Sequence, residues 1–265
     1  MSEISHPASG PVSRLDHDAV AILTLDRSQS RNALSGEMMA ALHAALDDIA
    51  QTPAIRAVIL AANGPVFCAG HDLREMNAIT DCNRHAALFE QCSALMMRIV
   101  TLPQPVIARV HGMATAAGCQ LVASCDLAVA GRSARFATPG VNIGLFCSTP
   151  MVALSRNIPR KHAMRMLLTG DPVPADLAFQ MGLVSDVVDD DNLIAATNTL
   201  VARIAAKSGS TITLGKAAFY RQAEMPLADA YNYAARVMTD NMQTNDAREG
   251  IGAFVEKRHP EWRHD

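Results

Sequence analysis

Two short segments carry the residues best suited to chemistry. One runs Gly64-Pro65-Val66-Phe67-Cys68-Ala69-Gly70-His71-Asp72-Leu73, the other His111-Gly112-Met113-Ala114-Thr115-Ala116-Ala117-Gly118-Cys119-Gln120. Each follows an apolar run that reads as a buried strand, and each carries small residues into a turn or helix start. Small side chains let a ligand approach the main chain, and the first N–H groups of a helix lack intrahelical partners. The aligned peptide dipoles there favour developing negative charge. Two such N–H groups converging on one oxygen would make an oxyanion hole. The same small residues would also serve plain close packing of helix on strand, and composition alone does not separate the two.

Other chemistries lack their signatures. There is no G-x-G-x-x-G, no G-x-S-x-G, and Gly215-Lys216 has no upstream glycine loop and continues into Ala217. The nine histidines form no H-x-x-x-H or H-E-x-x-H pair, so a metal site is not expected. A net charge of −3 argues against nucleic acid as a partner. The longest uncharged window, Phe136 to Ser155, holds Pro139, Pro150, Gly140, Gly144 and Asn142, which argues against a membrane span. The first twenty residues carry Glu3, Asp16 and Asp18 against Arg14 alone, and read as neither a signal peptide nor an Arg-rich transit peptide. Six cysteines without a C-x-x-C pair suggest reduced, buried thiols and a cytoplasmic protein.

The elements that must position the two segments follow from periodicity. After a start read as disordered to about Pro11, a strand is expected over Ala19–Leu25. Ser35 is a candidate N-cap for a helix over Gly36–Gln51, with Met38, Met39, Leu42, Leu46 and Ile49 as its buried stripe. Ala57–Ala61 reads as a strand buried on both faces. A helix from about Arg84 to Thr101, a strand over Pro105–Val110, a short helix over Gly118–Ser124 and a strand over Asp126–Ala130 follow. Strands alternating with helices indicate an α/β core over residues 12–191. Residues 192–265 read as helices at Asn192–Ala206, Ser210–Ala223, Leu227–Gln243 and Asp246–Lys257. Tyr231, Tyr233, Met238 and Met242 there suit a helix or subunit interface.

The phrase Phe67-Cys68-Ala69-Gly70-His71-Asp72-Leu73, with Arg31-Asn32-Ala33-Leu34-Ser35 before it and His111 through Asp126 after it, resembles the crotonase (enoyl-CoA hydratase/isomerase) superfamily. The resemblance runs from about residue 15 to the C-terminus. Ala114–Asp126 and Phe136–Pro150 look nearest to its enoyl-CoA hydratase domain-containing protein 3 group. It implies an α/β fold, a crotonase-like spiral of ββα repeats with a C-terminal helical trimerisation region. It also implies an acyl-CoA thioester as ligand, with coenzyme A entering as part of the substrate and no separate cofactor. A homotrimer or dimer of trimers is implied as well.

By position, the N–H groups of His71 and Ala117 would be the oxyanion donors. Ala33, Leu34, Ala69, Asp72 and Leu73 would line the CoA, and Met113, Pro139, Gly140 and Ser148 the rest of the site. Lys257, reaching from a neighbouring subunit, would meet CoA phosphates. The two glutamates that the family's hydratases set over the double bond correspond here to Gln120 and Gly140. Glutamine can orient a water but cannot take its proton, and glycine supplies nothing. Asp72, the His71 ring, Cys119, Cys147 and Ser148 are the alternative reactive groups. The expected function is enolate-type acyl-CoA chemistry by decarboxylation, isomerisation or weak hydration, or else acyl-CoA binding without catalysis. Glutamates installed at 120 and 140 are expected to raise hydration.

Overall fold

The structure, a computed structural model, describes residues 3–5 and 10–265, with side chains from residue 10 on. Strands β1 (Glu3–Ser5), β2 (Val12–His17) and β3 (Val20–Leu25) form an antiparallel meander. Helix α1 (Gly36–Ala50), β4 (Ala57–Ala62), α2 (Leu73–Ala78) and α3 (Cys82–Thr101) follow. Next come β5 (Val106–Val110), β6 (Met113–Thr115), α4 (Ala117–Ser124), β7 (Leu127–Gly131) and β8 (Arg135–Ala137). Helices α5 (Ser148–Asn157) and α6 (Arg160–Thr169), β9 (Val173–Pro174), α7 (Ala175–Met181) and β10 (Asp186–Val188) complete the core turns. Four helices end the chain: α8 (Leu193–Ala205), α9 (Gly209–Gln222), α10 (Leu227–Asn241) and α11 (Asn245–Glu256).

Strands β3, β4, β5, β7 and β10 lie parallel in the main sheet, with the β1–β2 ribbon at its edge. A second, shorter layer joins Leu34 to His71 and Cys68 to Ala114 by single parallel bridges, and β6 to β8 to β9. Each turn of the spiral thus repeats one long strand, one short extended piece and one helix: β3, Leu34, α1; β4, Cys68 to His71, α2 and α3; β5, β6, α4. This is the expected crotonase-like α/β architecture.

Burial explains the order. In β4, Ala57 through Ala61 are all buried, so both faces need cover. Val58 and Leu60 meet Leu42, Leu46, Leu95 and Ile99 in the larger core. Ala57, Ile59 and Ala61 meet Ile107, Val129, Leu193 and Val201 in a second core under α8. The α1 stripe is buried as expected, each large side chain contributing about 1.5–3 kcal/mol. Ser35 caps that helix, its side chain accepting from the Met38 N–H.

Four features differ from the periodicity. The start expected to be disordered contains β1, paired Glu3 to His17, while residues 1–2 and 6–9 lie outside the described residues. Strand β2 escapes the pattern because Arg14 and Asp16 interrupt its apolar alternation; they neutralise each other at 2.8 Å. The six-residue α2 is too short to show a helical period. Helix α8, beyond residue 191, covers the sheet, so the spiral core uses the first of the four final helices. Among the described residues no helix is long and apolar enough to cross a membrane.

Candidate functional site

The first segment is clamped on both sides. Leu34 N–H donates to Gly70 O at 2.8 Å and Ala69 N–H to Arg31 O at 3.0 Å. On the other side Cys68 N–H donates to Met113 O at 3.2 Å and Thr115 N–H to Cys68 O at 2.9 Å. The Thr115 hydroxyl adds a bond to Ala69 O at 2.9 Å. The His71 N–H takes part in none of these, and among the described residues it has no acceptor.

The second segment turns sharply at Ala116, with φ 51° and ψ −119°. A residue other than glycine is strained there. The turn ends β6 and starts α4, leaving Ala117 N–H as the first, unpaired donor of that helix. The two segments touch. A Cβ on Gly70 (φ 88°) would lie 3.1 Å from Ala117 N, and one on Gly118 would lie 2.2 Å from Cys68 O. Only glycine lets the loops approach so closely.

The carboxylates nearby are already engaged. Asp72 caps α2, accepting from Arg74 and Glu75 N–H at 3.1 and 3.3 Å, and faces Arg27 at 3.7 Å. Glu75 accepts from Gly36 N–H at 3.0 Å, at the start of α1. The alternative of Asp72 as a base therefore gives way to a capping role. The His71 ring packs edge-on against Phe89 at 5.5 Å, and neither ring nitrogen has a hydrogen-bond partner. Burial pushes this imidazole's pKa down, with the Leu34 main chain and Glu75 pulling weakly the other way.

Gln120 is 4% exposed and its Oε1 has no partner. At Gly140 an added Cβ would lie 2.5 Å from Leu145 O and 2.9 Å from Cys147 Sγ. The Leu145 N–H also donates to Gly140 O at 2.9 Å. A glutamate at 140 would have to displace the loop over residues 144–148, which weighs against the expected gain from it. Burial pushes the Cys119 thiol up to about 12 and the Cys147 thiol up as well, so neither is a ready nucleophile at neutral pH.

Of the residues expected at the site, Leu34, Ala69 and Met113 are joined by the bonds just described; His71 is bridged to Leu34, Asp72 N–H donates to Leu34 O at 3.4 Å, Ala33 precedes Leu34, and Ala117 meets Gly70 where the loops touch. Leu73 starts α2 and is half exposed. Pro139 and Gly140 follow Ala137, whose carbonyl accepts from Ala116 N–H at 2.9 Å. Ser148 is exposed, starts α5, and donates to Phe146 O from its main-chain N–H at 2.7 Å and its hydroxyl at 3.4 Å.

Lys257 is not gathered with them. It ends α11, which packs on α9. Helix α9 is tied by Lys216 to Ile99 O, Gln104 O and Asp126, before β5 and β7 begin, whereas the candidate loops follow the strand ends. Asn32, Ala116 and Thr115 were not singled out by sequence. No periodic signal marks a left-handed backbone, such as Asn32 and Ala116 adopt.

Residues 16–265 match the family described as enoyl-CoA hydratase/isomerase. The enoyl-CoA hydratase domain-containing protein 3, mitochondrial, of Xenopus laevis is 47% identical over 261 residues, covering 98% of this chain and 89% of that protein. A crystal structure of an enoyl-CoA hydratase from Mycobacterium smegmatis superposes with a TM-score of 0.94 at 52% identity, covering 96% of this chain and 99% of that one. That of human enoyl-CoA hydratase domain-containing protein 3 gives 0.93 at 46%, covering 95% and 100%. The rat and human relatives of this name are likewise named as mitochondrial, which overturns the cytoplasmic expectation. Buried thiols resist oxidation in any compartment, so Cys68, Cys92, Cys119, Cys125 and Cys147 carry no information about location.

Proposed function

Since this chain belongs to the enoyl-CoA hydratase/isomerase family, we propose that its two touching loops bind the thioester carbonyl of an acyl-CoA through the His71 and Ala117 N–H groups. The observation that carries this reading is the pair of acceptor-free amides on loops pressed together at Gly70 and Gly118. Both donors are preorganised, so charge developing on the oxygen is met without rearrangement. Main-chain atoms of Ala33, Leu34, Ala69, Asp72 and Leu73 line the CoA, while Met113, Pro139, Gly140 and Ser148 flank the acyl part. CoA comes as part of the substrate.

Beside those amides stands Gln120, with Asp72 and Glu75 both committed to helix starts. Chemistry that needs no general base fits this best. In a malonyl-type thioester the carbon–carbon bond to the carboxylate breaks, its electron pair forms the enolate, carbon dioxide leaves, and water returns a proton to carbon. Isomerisation or weak hydration over a Gln120-held water belongs to the same enolate class. The filled space at Gly140 favours a second reading, in which the protein binds acyl-CoA without turning it over. Turnover of malonyl-, enoyl- and hydroxyacyl-CoA, followed beside calorimetric binding, separates them. Binding without turnover leaves the second reading, and neither one removes both.

A homotrimer or dimer of trimers covers the exposed Phe219, Leu227, Tyr231, Met238 and Phe254 of the last helices and lets Lys257 of one copy reach the CoA phosphates at the next. Sedimentation giving a monomer at micromolar concentration would refute it.

A further inference from the structure

Asn32 is wholly buried, with φ 52°, two residues before Leu34, which is bridged to His71. Its side chain ties its own loop to the stretch after β4 through three main-chain groups. Oδ1 accepts from Arg27 N–H at 2.9 Å, and Nδ2 donates to Asn63 O and to Val66 O, both at 2.8 Å. Residues 63–66 are the run from β4 into Cys68–His71. Asn32 also lies between Arg31, whose carbonyl receives Ala69 N–H, and Leu34, whose N–H binds Gly70 O.

The side chain, with Arg31 and Leu34, thus holds one short stretch at four groups, Asn63 O, Val66 O, Ala69 N–H and Gly70 O, the last belonging to the same peptide unit as the His71 N–H. Asparagine tolerates the left-handed backbone better than other residues with side chains, and its amide offers the acceptor and two donors used here. The geometry points to Asn32 as a positioning residue, which sets the direction of the His71 N–H without touching ligand. This rests on the proposed oxyanion role of that N–H. Displacement of a catalytic contact by about 1 Å can cost about 10²-fold.

The test uses Asn32→Gly, which keeps the backbone freedom and removes all three side-chain bonds, and Asn32→Asp, which keeps the Arg27 bond and loses both donors. The probes are cinnamoyl-CoA, whose conjugated carbonyl shifts its absorption to the red when polarised, and the cinnamyl-CoA thioether, which lacks the carbonyl. The wild type should prefer the thioester and show the shift. Both variants should melt cooperatively, bind the thioether as the wild type does, and lose the shift with at least about tenfold of the preference. A folded variant that keeps both signals overturns the inference alone. So does failure of both variants to fold, since Asn32 would then hold the core rather than one amide. Absence of shift and preference in the wild type overturns the oxyanion reading itself.

Discussion

The Sγ of Cys147 stands 2.9 Å from where a Cβ on Gly140 would begin, with Leu145 O nearer still at 2.5 Å. Overpacking of this kind costs about 1–3 kcal/mol. Gly140→Ala should lower the urea-unfolding free energy by that amount, and Gly140→Glu should not restore hydration. A loss below about 0.5 kcal/mol would show that the loop yields and that a carboxylate can be put back.

Ala116 holds a backbone conformation, φ 51° and ψ −119°, that favours glycine. Strain of about 1–3 kcal/mol there outweighs the roughly 0.5–1 kcal/mol that glycine loses in chain entropy. Ala116→Gly should therefore stabilise by about 1 kcal/mol, raising Tm by about 2–4 °C in a chain of this size. A lower Tm would mean that the methyl group's packing matters more than the strain.

Burial holds the His71 imidazole below its ordinary 6.5. The unfolded chain then takes up this proton at higher pH than the folded one, so stability rises with pH across the interval. The contribution is fully present above about pH 6.5 and is lost as pH falls toward the folded value. His71→Phe, which keeps a ring against Phe89, should flatten the unfolding free energy as pH falls below the ordinary 6.5. An unchanged slope would show that the ring ionises as freely in the fold as in water.

Lys216 and Asp126 meet at 2.7 Å with 6% and 14% of their side chains exposed, and Tyr220 donates to the same carboxylate at 3.0 Å. Removing one partner of a buried pair leaves the other uncompensated, at about 3–5 kcal/mol. Asp126→Ala should lose that much by chemical denaturation, and should free α9 to fast hydrogen exchange. Unaltered exchange in α9 would place its anchorage elsewhere.

Of the six cysteines only Cys82 is exposed, and burial pushes the Cys68, Cys92 and Cys119 thiols up to about 12. A thiol-reactive disulfide should label one cysteine in the native protein and six after unfolding. Fast native labelling of Cys147 would reopen a reactive role for it.

Much of the scaffold could be read from residue order because it depends on local rules. The α1 stripe from Met38 to Ile49, the Ser35 cap and the doubly buried β4 follow from periodicity and a hydroxyl in the right place. The short α2 and the charged β2 were not legible, since six residues carry no period and Arg14 is neutralised by Asp16 together with Asp48 of α1, which the fold brings to it. Exposed Tyr231 and Met238, and Tyr233 under Arg221 at 4.8 Å, sit on the helices expected to carry an interface.

At the site, residue types alone announced small-residue loops after buried strands, and the resemblance drew attention to Gln120 and Gly140. They could not say that Ala116 adopts a positive φ, that Asn32 reaches residues 63 and 66, or that Cys147 fills the room beside Gly140. The Asn32 bonds join segments more than thirty residues apart, and a positive φ or a loop folded back on itself leaves no periodic trace. Composition and motif thus determined which main-chain groups the protein offers. Only the packing of one spiral turn on the next decided which amides are left without acceptors and which carboxylates are already committed.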